Sequence, residues 1–427
     1  MPRCVSDALF THSSRREKYV KIQFNRMQKA VLWGIVLAYT GAYLNRLNLS
    51  AALGSIASAL SLTDARAGML QSAFALVYAA GQLLNGAIVD RVNPVKHMLI
   101  GIVGFCCVNM LMSFAAGFEM LFVLCLFNGA FQSMLWTPIV RIMALYFEGK
   151  EARAKANIFI SLTLVMGQLG AWAISGIMAN AVGWNMSFRV PAVLGIAILF
   201  ICRYLFRGVH VTAETKREKT RNFAGKAPVF SVFMQTGFGF ILLSCILYGF
   251  VRDGIVTWAP TLLATMGAGA MSATFISLII PLINTLGILA GKFLNARGVG
   301  NTRFCVALML LMTAAFCLPL PLSSVMVISA LLMGFACAGL YGLNPLLTAL
   351  IPLEYDKVGR IGLAAGLVDS FIYIGSALAG VLGGTVSQHF GANGLFVSWM
   401  LTALLSAALC FLSGMKKPMQ ALENFGK

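Results

Sequence analysis

The sequence predicts an all-α membrane protein: twelve transmembrane helices in two pseudo-symmetric six-helix halves. Three observations carry this. Of 427 residues, 59% are hydrophobic and 11% charged, whereas a soluble chain carries about 25% charged residues; the mean hydropathy is +0.84. There is too little polar surface to cover a water-facing protein. Second, the chain divides into twelve apolar stretches, each near the roughly 20 residues a helix needs to cross the hydrocarbon. Third, polar features of the first six stretches return in the last six at one common spacing of roughly 205 residues.

Residues 1–29 are polar and basic, hold no apolar signal core, and read as a cytoplasmic tail. The first half, 30–206, holds spans at about 30–52, 66–88, 97–117, 119–143, 153–181 and 188–206. The hydrophilic stretch 207–231 reads as a central cytoplasmic loop. The second half, 232–414, holds spans at about 232–262, 272–294, 303–322, 324–351, 360–388 and 393–414, and 415–427 reads as a cytoplasmic tail. Several stretches exceed 23 residues, so those helices are expected to tilt or to kink at Pro138, Pro260 or Pro345. The repeat rests on Arg46 with Arg252, on Gly86-x3-Asp90-Arg91 with Gly291-x3-Asn295-x-Arg297, and on Gly167–Gly170 with Ile374–Ser376.

The net charge is +18, from 32 Lys and Arg against 14 Asp and Glu. Apart from Arg46, Arg66, Arg189 and Arg252, every basic residue falls on one side of the twelve-helix trace. The positive-inside rule therefore places both termini in the cytoplasm. Topology accounts for the charge, and no nucleic-acid partner is implied. The 10 cysteines are scattered through apolar runs, where cysteine acts as a small hydrophobe. No ligand-spaced cluster exists, so no metal or cofactor is expected. The absence of a Walker-A sequence excludes an ATP-driven pump. The helices contain no acid–base pairing of the kind an integral membrane enzyme needs. His12, His97, His210 and His389 fall in tails or at helix ends, which argues against a buried histidine relay.

Charges inside a bilayer are expensive and mark function. Four lie clearly inside spans: Arg46, Arg252, Asp253 and Asp369. Helix one places Tyr39, Tyr43 and Arg46 on one face; helix two places Tyr78, Gln82 and Asn85; helix seven, Tyr248 and Arg252; helix eleven, Asp369, Tyr373 and Ser376. Such stripes suit a water-filled central cavity. Two arginines from matching depths of two halves suit an oxyanion, because the guanidinium fork pairs with carboxylate or phosphate and stays charged. Asp253 reads as a structural ion pair, and Asp369 as a partner of Arg252 or a proton site.

Several stretches resemble the organophosphate:phosphate antiporters of the major facilitator superfamily, which include glycerol-3-phosphate and hexose-phosphate transporters. These are Tyr39-x3-Tyr43-x2-Arg46-x-Asn48, Gly86-x3-Asp90-Arg91-x-Asn93-Pro94, Phe131-Gln132-x-Met134-x-Trp136-x-Pro138-x2-Arg141, Arg252-x-Gly254-Ile255-x2-Trp258-x-Pro260, Tyr341-Gly342 and Ala364-Ala365-Gly366-x6-Tyr373-x-Gly375. The resemblance covers nearly all of 30–414. It implies that Arg46 and Arg252 bind the anion, with Tyr39, Tyr43, Tyr78, Gln82, Trp136, Tyr341 and Tyr373 around it. It also implies that Gly86, Asp90 and Arg91 form a gating loop. The chain departs from the family at Leu164, where a histidine is usual, and at Gln82, where a lysine is usual. It also places carboxylates at Asp253 and Asp369, which makes both coupling candidates.

The expectation is a non-enzymatic, multi-pass secondary transporter of the plasma membrane. It would move a small organic anion, an organophosphate first, by alternating access, as a monomer in the lipid bilayer. The alternatives are a sugar-acid or other carboxylate:proton symporter and a non-transporting membrane sensor of the same fold.

Overall fold

A computed structural model describes residues 24–89, 92–147, 150–209, 233–267, 269–296, 301–355 and 361–416. The described residues are almost entirely helical. The first half comprises α1 (Arg26–Ala59), α2 (Asp64–Ile88), α3 (Pro94–Met112), α4 (Phe118–Tyr146), α5 (Lys150–Ala181) and α6 (Met186–Leu205). The second comprises α7 (Phe238–Thr265), α8 (Ala270–Ser277), α9 (Ile279–Ala296), α10 (Thr302–Cys317), α11 (Met326–Pro345) and α12 (Ile361–Met415).

Local sequence explains the starts and breaks. Asn25 caps α1 in a reciprocal box with Gln28, while Thr63 caps α2 and Asn93 caps α3 ahead of Pro94; each side-chain oxygen satisfies an otherwise orphaned amide. The expected span at 272–294 is divided into α8 and α9 just before Pro281, whose missing N–H and bulky ring interrupt the ladder. Pro191 lies inside α6 and cannot donate to the Ser187 carbonyl; the Ser175 hydroxyl of α5 donates to that carbonyl instead, at 3.2 Å. After Pro345 the chain widens into a π-helical turn, Leu346–Leu350. The 55-residue α12 would be roughly 80 Å long at about 1.5 Å per residue, more than twice the hydrocarbon thickness of about 30 Å. It breaks at Gly391 (φ 64°, ψ −162°), a conformation that suits glycine.

Ten described helical segments are long and apolar enough to cross a bilayer, Leu363–Met415 among them. Division of that segment at Gly391, together with α1, gives twelve. Asn45, Arg46 and Asn48 lower the hydropathy of α1, which is why it falls short by composition alone. Large apolar side chains such as Leu84, Phe127, Met166, Phe200, Leu289 and Leu405 face outward, as a lipid-facing belt requires.

The two halves meet most tightly at the end of the molecule where α1 leads into α2. There α2 lies against α12 so closely that a Cβ on Gly68 would fall 2.0 Å from the Gly380 carbonyl oxygen. The Ser72 hydroxyl donates to Ala377 O, and the Ser387 hydroxyl donates to Asp64 Oδ2 at 2.6 Å. At the same end Asn180 of α5 donates to Thr274 Oγ1 of α8 (3.1 Å). Small residues that allow backbones this close are how helices pack without a hydrophobic drive in lipid. Toward the opposite end, buried Arg303 donates to Glu354 Oε2 (2.9 Å) and Ser413 Oγ (3.0 Å), tying α10, the residues after α11 and the end of α12 together.

Candidate functional site

Arg46 is held in place by α1, α3 and α4. Leu49 N donates to the Asn48 side chain (2.8 Å). The Asn45 carbonyl meanwhile accepts from Asn109 Nδ2 (3.2 Å), Asn128 Nδ2 (3.2 Å) and Gln132 Nε2 (3.1 Å). Asn48 Nδ2 donates to Asn109 Oδ1 at 2.7 Å. This buried polar lattice fixes the α1 backbone beside Arg46. Satisfied buried networks of this kind rigidify a site.

Arg46 is 8% exposed. Its Nε donates to Gln132 Oε1 (3.0 Å) and its Nη1 to the Tyr373 hydroxyl (3.1 Å). Its central carbon lies 4.4 Å from the Tyr78 ring centroid, 5.1 Å from Phe74 and 5.2 Å from Tyr43. Aromatic faces thus stabilise a cation that water cannot reach freely.

Arg252 is engaged differently. Its Nε and Nη2 form a two-point fork on Asp253 Oδ1 (2.7 Å) and Oδ2 (2.9 Å), and its Nη1 donates to the Tyr248 hydroxyl (3.4 Å). Tyr248 in turn donates to Asn344 Oδ1 at 3.0 Å. Adjacent positions point about 100° apart on a helix, yet the long arginine stem folds back on its neighbour. Tyr373 stands between the arginines: it accepts from Arg46, and its ring lies 5.8 Å from the Arg252 central carbon.

These groups line one narrow central cavity of about 40 Å³. Tyr43, Arg46, Phe74 and Leu164 come from the first half; Tyr248, Arg252, Asp253, Tyr341, Asn344, Tyr373 and Ser376 come from the second. On the far wall the Tyr341 hydroxyl donates to Gln168 Oε1 (3.0 Å), which joins α11 to α5 across the two halves.

Among the sequence-derived candidates, Arg46, Tyr43, Arg252, Asp253, Tyr341 and Tyr373 meet in this cavity. Tyr78 sits behind it, buried under Arg46 and 4.2 Å from the Tyr373 ring centroid. Tyr39 and Trp136 stack on each other (5.4 Å) one layer away, with Tyr39 edge-on to Tyr43 at 5.1 Å. Gln82 is buried outside the lining, and its Nε2 has no hydrogen-bond partner among the described residues. Asp369 is half-buried within electrostatic reach of both guanidiniums, but it does not line the cavity; the ion pair expected of it with Arg252 is formed by Asp253. Gly86 lies exposed near the end of α2, while Asp90 and Arg91 fall outside the described residues. His97 sits at a helix end, in the first turn of α3, and is buried there, its Nε2 2.9 Å from Asn85 Oδ1. Gln132, Phe74, Gln168 and Asn344 were missed as site residues. Gln132, Gln168 and Asn344 each left a signal, as polar side chains in apolar runs; Phe74 left none.

The model of the Major Facilitator Superfamily matches residues 35–361. A glycerol-3-phosphate transporter of Bacillus subtilis (strain 168) is 25% identical, over 91% of this chain and 92% of its own length. A phosphoglycerate transporter protein of Salmonella typhimurium (strain LT2) is 24% identical over 92% and 90%. The membrane sensor protein UhpC of Escherichia coli (strain K12) is 23% identical over 92% and 94%. Among solved structures, the inward-facing, occupied form of a bacterial homologue of the human lysosomal transporter Spinster superposes with a TM-score of 0.74 at 17% identity, covering 92% of this chain and 98% of that one. With the family model spanning most of the chain over the same two-half helical bundle, the protein belongs to the Major Facilitator Superfamily of membrane transporters.

Proposed function

We propose that this chain is a secondary transporter that carries a small organic anion, an organophosphate first, through the central cavity by alternating access. One observation carries the reading: Arg46 and Arg252, one from each half, face the same cavity with Tyr373 between them. An oxyanion shared by both would draw the halves together, which is the coupling of ligand to helix movement that alternating access needs. The relatives named for glycerol-3-phosphate and phosphoglycerate support an organophosphate as the cargo. By the positive-inside rule both termini would lie in the cytoplasm. In that orientation the tight α2–α12 contact lies at the outer end.

The test is uptake of glycerol 3-phosphate and hexose phosphates into proteoliposomes. Saturable flux that Arg46→Lys abolishes supports the reading. Saturable binding without flux would favour the second reading, a sensor, which the full-length similarity to the UhpC sensor protein motivates.

A further inference from the structure

We propose that the substrate of this cavity is a zwitterion, an oxyanion such as a phosphate ester joined by a short linker to a cationic amine. This rests on the anion reading above and names the substrate class more closely. Arg252 is not waiting for an anion: two of its nitrogens hold Asp253 at 2.7 and 2.9 Å, and a third donates to Tyr248. Both side chains of the pair are largely shielded, at 15% and 16% exposed. An anion that takes the Arg252 fork must therefore expel Asp253. It would leave that carboxylate unpaired where water is scarce, a costly outcome for a buried charge.

A ligand that carries its own ammonium removes the cost. Its oxyanion takes Arg252 and its amine takes Asp253, so one ion pair becomes two with no charge stranded. The wider charge balance points the same way. Arg46 and Arg252 are matched by Asp253 and by Asp369, a carboxylate within reach of both guanidiniums that no hydrogen bond or ion pair holds among the described residues. A doubly charged ester alone would leave this neighbourhood net negative in a low-dielectric setting; a zwitterion adds far less. The cavity wall also suits an amine, since Tyr43, Tyr248, Tyr341 and Tyr373 offer ring faces and hydroxyl oxygens.

The experiment is equilibrium binding to the purified full chain with two size-matched pairs: phosphoethanolamine against ethyl phosphate, and glucosamine 6-phosphate against glucose 6-phosphate. The amine-bearing member of at least one pair should bind tenfold or more tighter, as expected when a buried charge gains its partner. Asp253→Asn, checked for an unchanged melting profile, should erase that preference and tighten binding of the amine-free ester by freeing the Arg252 fork. Asp369→Asn should reduce the preference in part. Equal binding within both pairs overturns the proposal. If Arg46→Lys then abolishes binding of all four esters, the anion reading survives alone. Equal binding with one proton taken up per ligand also overturns it, because a proton then neutralises the carboxylate. Failure of all four esters to bind, and of inorganic phosphate alongside them, overturns both readings together.

Discussion

At the scale of single residues, the arginines were legible because a charge inside an apolar run is costly and therefore informative. Their settings were not legible. Nothing in the spacing says that Arg46 rests on Tyr78 and Phe74 while Arg252 folds onto Asp253, because helical periodicity gives faces and not side-chain reach. Tyr39 shares a face with Arg46, but two turns of separation carry it out of the cavity and onto Trp136. The two guanidiniums should therefore respond unequally. Arg46→Lys loses both the planar fork and the ring stacking, and should weaken anion binding by about 2–5 kcal/mol. Arg252→Lys retains a charge that Asp253 can still pair with, so its loss should be smaller. Isothermal titration of both variants measures the difference. Equal losses would show that Asp253 does not occupy Arg252 in solution.

At the scale of elements, the helices were readable from hydropathy, and their breaks from proline and glycine. The division before Pro281 was not anticipated, nor was the burial of Arg303, which looked like one more basic loop residue. Arg303 is fully buried and pairs with Glu354. Arg303→Met should cost about 3–5 kcal/mol by stranding that carboxylate, read as a lowered melting temperature in detergent. Burial raises the Glu354 pKa above its ordinary 4.5, more than Arg303 lowers it. Its folded form thus holds its proton more tightly than its unfolded form. The stability it contributes is complete below the ordinary value and is lost as pH rises through the raised one. Glu354→Gln should flatten the melting temperature across that interval, and an unchanged slope would assign the pH dependence elsewhere. A second element-level expectation concerns α2 and α12. Gly68→Leu sets a side chain against the Gly380 backbone, so it should hold that end open. Cysteines placed near Asp64 would then label faster, and transport would fall although Arg46 and Arg252 are untouched.

At the scale of the whole molecule, the repeat and the basic loops predicted two halves. Their meeting was beyond sequence, since contacts such as Tyr341 with Gln168 and Arg46 with Tyr373 join residues far apart in the chain. Those cross-half bonds bear on how transport is energised. Asp369 stands near both arginines with no ion pair among the described residues, and a proton there would couple uptake to a pH gradient. An anion exchanged for another needs no such proton, because the arginines are refilled on the return step. Contacts favour exchange: in the empty cavity Arg252 is forked onto Asp253, while Arg46 donates to the neutral Gln132 and Tyr373 and can take the next anion directly. Proteoliposomes loaded with substrate should therefore take up labelled substrate several-fold faster than empty ones. An imposed pH gradient should leave empty vesicles inactive. Asp369→Asn should preserve this counterflow. If empty vesicles instead fill when the gradient is applied, and Asp369→Asn abolishes that response alone, the carboxylate is a proton site and the protein is a symporter.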